Sequence, residues 1–223
     1  MTLQRRIRSF VRREGRLTPS QQRALEQVWP QVGLSAATPY TPPARCVLEI
    51  GFGMGQSLIQ NALDNPETHY IGIEVHRPGV GHLLLGIEKH DIKNIRVFAE
   101  DAIDVLTQAI PNHSLDGMQI FFADPWPKKR HHKRRLIQTE FLNLLQTKLK
   151  PRGWLHLATD WQPYAEHMLE TLTAHPAFQN TAEDGTYIPR PESRPLTKFE
   201  KRGLDKGHGV YDLYFICGDE AGT

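Results

Sequence analysis

The stretch Cys46-Val47-Leu48-Glu49-Ile50-Gly51-Phe52-Gly53-Met54-Gly55 reads as a strand over 46–51 that breaks into a glycine-rich turn and a helix over 55–64. A near-continuous apolar run marks a strand covered on both faces. Glycines after it let the backbone turn tightly and come close to a ligand. The same alternation continues downstream, with strands at 69–75, 94–99, 115–123 and 154–159 and helices over 79–90, 101–109, 133–149 and 162–173. Five strand–helix units in succession predict a doubly wound, mostly parallel α/β sheet with helices on both faces. Beyond residue 177 the rhythm breaks. Segments 178–183 and 211–217 read as strands without a crossover helix, so they should pair antiparallel at one edge of a seven-stranded sheet.

Upstream, residues 1–44 read as an Arg-rich N-terminal arm and linker, and 45–223 as the domain proper. Thr18-Pro19-Ser20 supplies an N-cap with proline at the first helical turn, opening a short helix to residue 29. Five Pro or Gly residues in 30–44 then predict an extended connection. The arm suits either phosphate binding or packing on the domain.

At 223 residues, 39% of them apolar, the chain can bury a substantial core. Its net charge of +2 conceals an asymmetry. Residues 1–16 and 128–135 carry twelve Lys/Arg and one acid, which leaves about −9 on the rest. An acidic body with two basic segments suits a polyanion such as RNA. Cys46 and Cys217 form no metal-ligand spacing, so a reduced, cytoplasmic, metal-free protein is expected. No apolar run approaches membrane-span length. A monomer and a homodimer fit the sequence equally.

In open α/β sheets ligands bind at the carboxyl ends of the strands. Gly51, Gly53 and Gly55 depart from the dinucleotide spacing G-x-G-x-x-G, because the third glycine comes one residue early. Acids stand at successive strand ends: Glu49 just before the glycines, Glu74 after the second strand, Glu100-Asp101 after the third. Glu49 would repel a pyrophosphate and attract an ammonium or sulfonium group. Glu74 is placed to accept from ribose hydroxyls, and Asp101 can take an adenine amino group while capping the next helix. This set fits S-adenosylmethionine better than NAD.

Asp124 ends the fourth strand and opens Asp124-Pro125-Trp126-Pro127, after which six Lys/Arg and two His follow without an acid. A carboxylate, a rigid turn and a cationic apron point to chemistry on a nucleic-acid base. A ring nitrogen such as guanine N7 already carries a lone pair, so its methylation needs alignment and charge compensation rather than proton removal. A carboxylate accepting from guanine N1–H and the 2-amino group would supply both. Asp124 is the first candidate and Asp160, at the fifth strand end, the second. Lys128 lies nearest the pocket, and Arg130, His131, His132, Lys133, Arg134 and Arg135 would hold phosphates. The loop Thr197-Lys198-Phe199-Glu200 offers an aromatic between ions, suited to stacking on a base or to an ordinary surface. A small-molecule or protein methyltransferase explains the glycine loop but not the apron. A non-catalytic RNA-binding module explains the apron but not the acids.

Three segments resemble the bacterial tRNA (guanine-N7-)-methyltransferase family: Glu49-Ile50-Gly51-Phe52-Gly53-Met54-Gly55, Asp124-Pro125-Trp126-Pro127-Lys128-Lys129-Arg130-His131, and Arg194-Pro195-Leu196-Thr197-Lys198-Phe199-Glu200-Lys201-Arg202-Gly203. The resemblance implies a Rossmann-like, class I S-adenosylmethionine-dependent methyltransferase fold and methylation of guanine 46 in the tRNA variable loop. It implies cofactor ligands at Glu49, Glu74, Asp101 and Asp124 and a catalytic role for Asp124. Substrate contacts fall on Lys128, Asp160 and Thr197, Lys198, Phe199 and Glu200, and RNA contacts on Arg130 to Arg135. In one departure, Pro195-Leu196 separate Arg194 from Thr197, where the family often has Arg directly before Thr.

Overall fold

The computed structural model describes residues 9–10, 15–43, 45–192, 194–196, 200 and 209–219. Thr197, Lys198 and Phe199 lie outside them.

Five strands expected from apolar runs form the parallel heart of one sheet: β2 (Cys46–Ile50), β3 (His69–Ile73), β4 (Ile95–Phe98), β5 (Leu115–Phe121) and β6 (Leu149–Thr159). With β1 (Gly33–Leu34), β7 (Phe178–Asn180) and β8 (Tyr211–Cys217) the order is β1-β4-β3-β2-β5-β6-β8-β7. All five residues of β2 are buried, as its position at the centre requires. The chain steps outward from β2 through β3 to β4, then returns to place β5 on the other side of β2. The order therefore reverses between β2 and β5, and ligand crevices open at such reversals.

The late strands behave as expected. β8 (Tyr211–Cys217) runs antiparallel to β6, and β7 (Phe178–Asn180) antiparallel to β8 at the edge. An eighth strand was not foreseen. The two-residue β1 (Gly33–Leu34), inside the stretch read as a linker, pairs in parallel with Val97 and Phe98 of β4. Short edge pairing of this kind uses only backbone groups, so proline-rich composition hides it.

Helices pack on both faces. Leu48 and Ile50 of β2 look toward α5 (Ala102–Gln108), α6 (Thr139–Lys148) and α7 (Gln162–Thr173). Val47 looks the other way, toward α1 (Pro19–Gln27), α3 (Gln56–Asp64) and α4 (Arg77–His90). Helix α1 has the N-cap expected at Thr18, here extended to a full capping box: the hydroxyl accepts from Gln21 N–H and the Gln21 side chain accepts from Thr18 N–H. Gln21 also reaches Pro78 O at 3.0 Å, which docks α1 on α4. A four-residue helix, α2 (Trp29–Val32), leads into β1.

One helix boundary is corrected. The helix expected over 133–149 is two elements, a 3-10 helix Lys129–Arg134 and then α6 from Thr139. The break falls at Arg135, whose backbone is extended (φ −55°, ψ 135°) because its side chain turns inward.

Candidate active site

A cavity of about 600 Å³ opens at the reversal between β2 and β5. Glu74, Glu100, Asp101 and Asp124 line it, and no Lys or Arg does among the described residues. Such a lining favours a cationic ligand over a pyrophosphate. Carboxylates from three strand ends, those of β3, β4 and β5, converge because these strands run parallel with β2 between β3 and β5.

The glycine turn supplies the floor. Gly51 and Gly53 have φ of +75° and +57°, and nothing lies within 4 Å of where a Cβ would stand on either. A ligand can therefore lie directly on backbone, which side chains would prevent. Gly55 serves another purpose. It is the left-handed N-cap of α3, and a Cβ there would meet Leu83 at 2.8 Å. It does not line the cavity.

Glu74 braces the turn. Its carboxylate accepts from Gly53 N–H at 2.9 Å, Val75 N–H at 2.7 Å and His76 N–H at 2.9 Å. A carboxylate offers about four acceptor positions, so capacity for a ribose hydroxyl remains. Asp101 caps α5 through Ile103 N–H at 3.0 Å and faces the cavity, combining the two roles expected of it. Glu100 accepts from Ala36 N–H at 2.8 Å, which ties the segment before the domain to the cavity rim.

Glu49 sits beneath the turn and outside the cavity lining, 2% exposed. One of its oxygens, Oε2, has no hydrogen-bond partner, and neither has the nearby Ser57 hydroxyl. Burial outweighs the opposing influence of the neighbouring Ser57 hydroxyl and, with the charge of Glu74, pushes the Glu49 carboxyl up to about 8. A buried acid so poorly partnered stays protonated at neutral pH.

Asp124 stands exposed at the mouth of the cavity, between two strained residues. Phe122, two before it, and Trp126, two after it, take left-handed φ values of 54° and 46°. Bulky residues adopt that region only when the surroundings impose it, at a cost on the order of 1–3 kcal/mol each. Here Phe122 N–H is drawn to Ala158 O at 2.8 Å, and Trp126 is held by its indole. The result turns Asp124 outward over the cleft.

The sequence comparisons agree with this geometry. The family model described as "Putative methyltransferase" matches residues 43–213. A tRNA (guanine-N(7)-)-methyltransferase of Alkalilimnicola ehrlichii is 56% identical over 96% of this chain and 94% of its own. That of Idiomarina loihiensis is 55% identical over 95% of this chain and 89% of its own. The chain belongs to the tRNA (guanine-N7-)-methyltransferase family. It is thus a class I S-adenosylmethionine-dependent methyltransferase. Among solved structures, the 16S rRNA (adenine(1408)-N(1))-methyltransferase of Catenulisporales acidiphilia shares the fold, with a TM-score of 0.53 at 13% identity over 82% of this chain and 88% of that one.

In this methyltransferase the basic segment divides in two. Lys128, Arg130 and Lys133 are exposed, while His131, His132 and Arg134 are half-buried. The Arg134 guanidinium lies 5.0 Å from the Trp126 ring centroid, and His131 meets the same ring edge-on. Partial desolvation and the surrounding cations push His131 below its ordinary value. Arg135 corrects the expected phosphate role. It is 4% exposed, donates to Pro125 O at 3.0 Å and Pro163 O at 3.4 Å, and stacks over Tyr164. It ties the Asp124–Pro127 turn to α7 and is turned away from the exposed basic surface.

Asp160 is exposed at the end of β6, the strand beside β5. Glu200 is buried and ion-paired rather than free to meet a base. Two contributors escaped the sequence reading. Ser9 and Phe10 of the arm line the cavity, and their only sequence signal was an apolar residue among arginines.

Proposed function

We propose that the protein transfers the methyl group of S-adenosylmethionine to N7 of a guanine in tRNA, in the cytoplasm. The observation that carries this reading is Asp124, which stands where an acidic cleft for a cationic donor meets an exposed basic surface. S-adenosylmethionine supplies an activated methyl on a sulfonium. Gly51 and Gly53 would seat it against backbone, Glu74 would accept from the ribose and Asp101 from the adenine amino group.

The chain's own work on the acceptor is positioning. Asp124 accepts hydrogen bonds from guanine N1–H and the 2-amino group, with Asp160 on the next strand end as the second carboxylate. N7 carries no proton, so Asp124 compensates the positive charge growing on the purine instead of acting as a base. The target base must leave its stack for N7 to meet the donor. Lys128, Arg130, Lys133 and Arg134 hold the backbone phosphates. The family resemblance implies nucleotide contacts at Thr197, Lys198 and Phe199, whereas Glu200 is occupied by its ion pair with Arg194, and it implies guanine 46 of the variable loop as the target.

The test is incubation of the protein with methyl-labelled S-adenosylmethionine and bulk tRNA, followed by chain cleavage specific for N7-methylguanosine. Cleavage at one position is expected. Label incorporated without such cleavage would point to another atom, and no label to another substrate.

A further inference from the structure

Trp161 is 40% exposed, although it closely follows a run of β6, Leu155 to Thr159, that is buried throughout. The other three tryptophans are engaged. Trp29 and Trp154 pack against a core, Trp154 also stacks on Tyr214, and Trp126 donates its indole N–H to Ser9 O. Trp161 belongs to neither hydrophobic cluster. Among the described residues its ring meets no other ring, no cation and no hydrogen-bond partner. An indole left in water forfeits one of the largest apolar burials a side chain offers.

The sheet fixes where this ring stands. Phe121 of β5 pairs with Ala158 of β6 in parallel register, and Phe122 N–H reaches Ala158 O at 2.8 Å. Asp124 and Trp161 each lie three residues beyond that pair, so both emerge at the same carboxyl edge on neighbouring strands. One guanidinium ties the two exits together. Arg135 donates Nε to Pro125 O at 3.0 Å and Nη1 to Pro163 O at 3.4 Å. The backbone of Trp161 is held as well, as the N-cap of α7. Its N–H donates to Thr159 Oγ1 at 3.2 Å, and its carbonyl accepts from Tyr164 N–H at 2.9 Å and Ala165 N–H at 3.0 Å. The exposed ring therefore sits on a rigid mount, directly after Asp160 and across from the Asp124 turn.

We infer that Trp161 is a tRNA-binding residue: its indole is the platform on which a base neighbouring the target guanine stacks. This rests on the proposed methylation of tRNA. A guanine drawn out of its stack leaves its neighbour with a bare face. An aromatic ring at the edge of the cleft covers that face, and it serves any base because every base has a π-face. A lone ring is too small for a protein partner, which needs a contiguous patch, but an indole and a purine are both bicyclic and similar in area. Stacking also complements Lys128, Arg130 and Lys133, which are exposed and supply charge without a stacking surface.

The experiment compares wild type, Trp161→Ala and Trp161→Phe as full-length proteins. Binding of tRNA is measured over a range of salt, together with calorimetric binding of S-adenosylmethionine without tRNA and the melting temperature. Trp161→Ala is expected to weaken tRNA binding about five- to 150-fold, the range that base–aromatic stacking spans, with donor Kd changed less than twofold. Its log–log salt slope should match wild type, because stacking releases no counterions. Trp161→Phe should recover most of the loss. Binding of tRNA should quench indole emission in the wild type, and Trp161→Phe should lose most of that quenching while still binding. Unchanged tRNA affinity in Trp161→Ala, or quenching that survives in Trp161→Phe, would overturn the inference. So would a phenylalanine variant as weak as the alanine one, or an alanine variant that melts early and binds the donor poorly, either of which would make Trp161 a packing residue. Wild-type protein that fails to bind tRNA would sink the proposed substrate and this inference with it, whereas wild-type binding that Trp161→Ala retains sinks the inference alone.

Discussion

The indole N–H of Trp126 donates to the backbone carbonyl of Ser9 at 2.9 Å, across 117 residues of chain. This bond brings Ser9 and Phe10 into the wall of the cavity beside Asp124. The same ring carries Arg134 on its face and His131 at its edge. Trp126 thus joins the arm, the donor cleft and the basic surface at one side chain.

Trp126→Phe keeps an aromatic ring and removes the N–H. One hydrogen bond contributes about 0.5–1.5 kcal/mol, which corresponds to roughly two- to tenfold in affinity if it shapes the donor site. Calorimetry should show S-adenosylmethionine binding weakened within that range while the melting temperature stays near wild type. An unchanged Kd would leave the arm contact without a role in donor binding.

Asp124 is exposed, so replacing it should not disturb the fold. Asp124→Asn is expected to slow methyl transfer by about 10²–10³-fold, the size seen when one preorganised electrostatic group is removed from around a transition state. Single-turnover rates at saturating tRNA check this. Near-normal turnover in a folded variant would remove Asp124 from the mechanism.

Much of this arrangement was legible because it is local. Buried runs such as 46–50 and 115–121 announce parallel strands, and acids at their ends fall where the sheet reverses. The features that sequence did not disclose all depend on distant partners. Arg135 looks like Arg130 in a charge run, and only the inward turn after the 3-10 helix separates a buried bolt from a surface charge. The left-handed Phe122 and Trp126 are imposed by Ala158 O and Ser9 O, which no window around Asp124 contains. Arg194 reads as one basic residue in a loop until Asp212 and Glu200 are brought to it.

The division within the basic segment is measurable. Neutralising Arg130 and Lys133 together as Gln should reduce the salt dependence of tRNA binding, by about 0.7–0.9 in the log–log slope for each phosphate no longer neutralised. Arg135→Met should leave that slope unchanged. Removing its bonds to Pro125 O and Pro163 O and its stacking on Tyr164 should instead cost about 1–3 kcal/mol, a fall of about 3–10 °C in Tm. A reduced salt slope in Arg135→Met would restore it to the RNA surface.

Glu49 gives the protein a distinctive pH dependence. In the unfolded chain its carboxyl ionises near 4.5, whereas burial holds the folded form protonated up to about 8. Between these values the folded state binds the extra proton, so its contribution to stability is full below pH 4.5 and declines as pH rises toward 8. The slope is at most about 1.4 kcal/mol per pH unit. Asp212 acts with the opposite sign in another range. Burial opposes its ionisation, but hydrogen bonds from His156 and Arg194 outweigh that and hold its carboxyl below the ordinary 3.8, so its contribution is lost only in acid. In denaturant titrations of the ligand-free protein from pH 5 to pH 8, Glu49 should lower stability as pH rises, against the rise from His167 and His175, which burial holds below their ordinary value. Glu49→Gln, neutral in both states, should flatten that decline and leave the acid limb intact. A Glu49→Gln profile parallel to wild type would show that Glu49 is ionised in the folded protein.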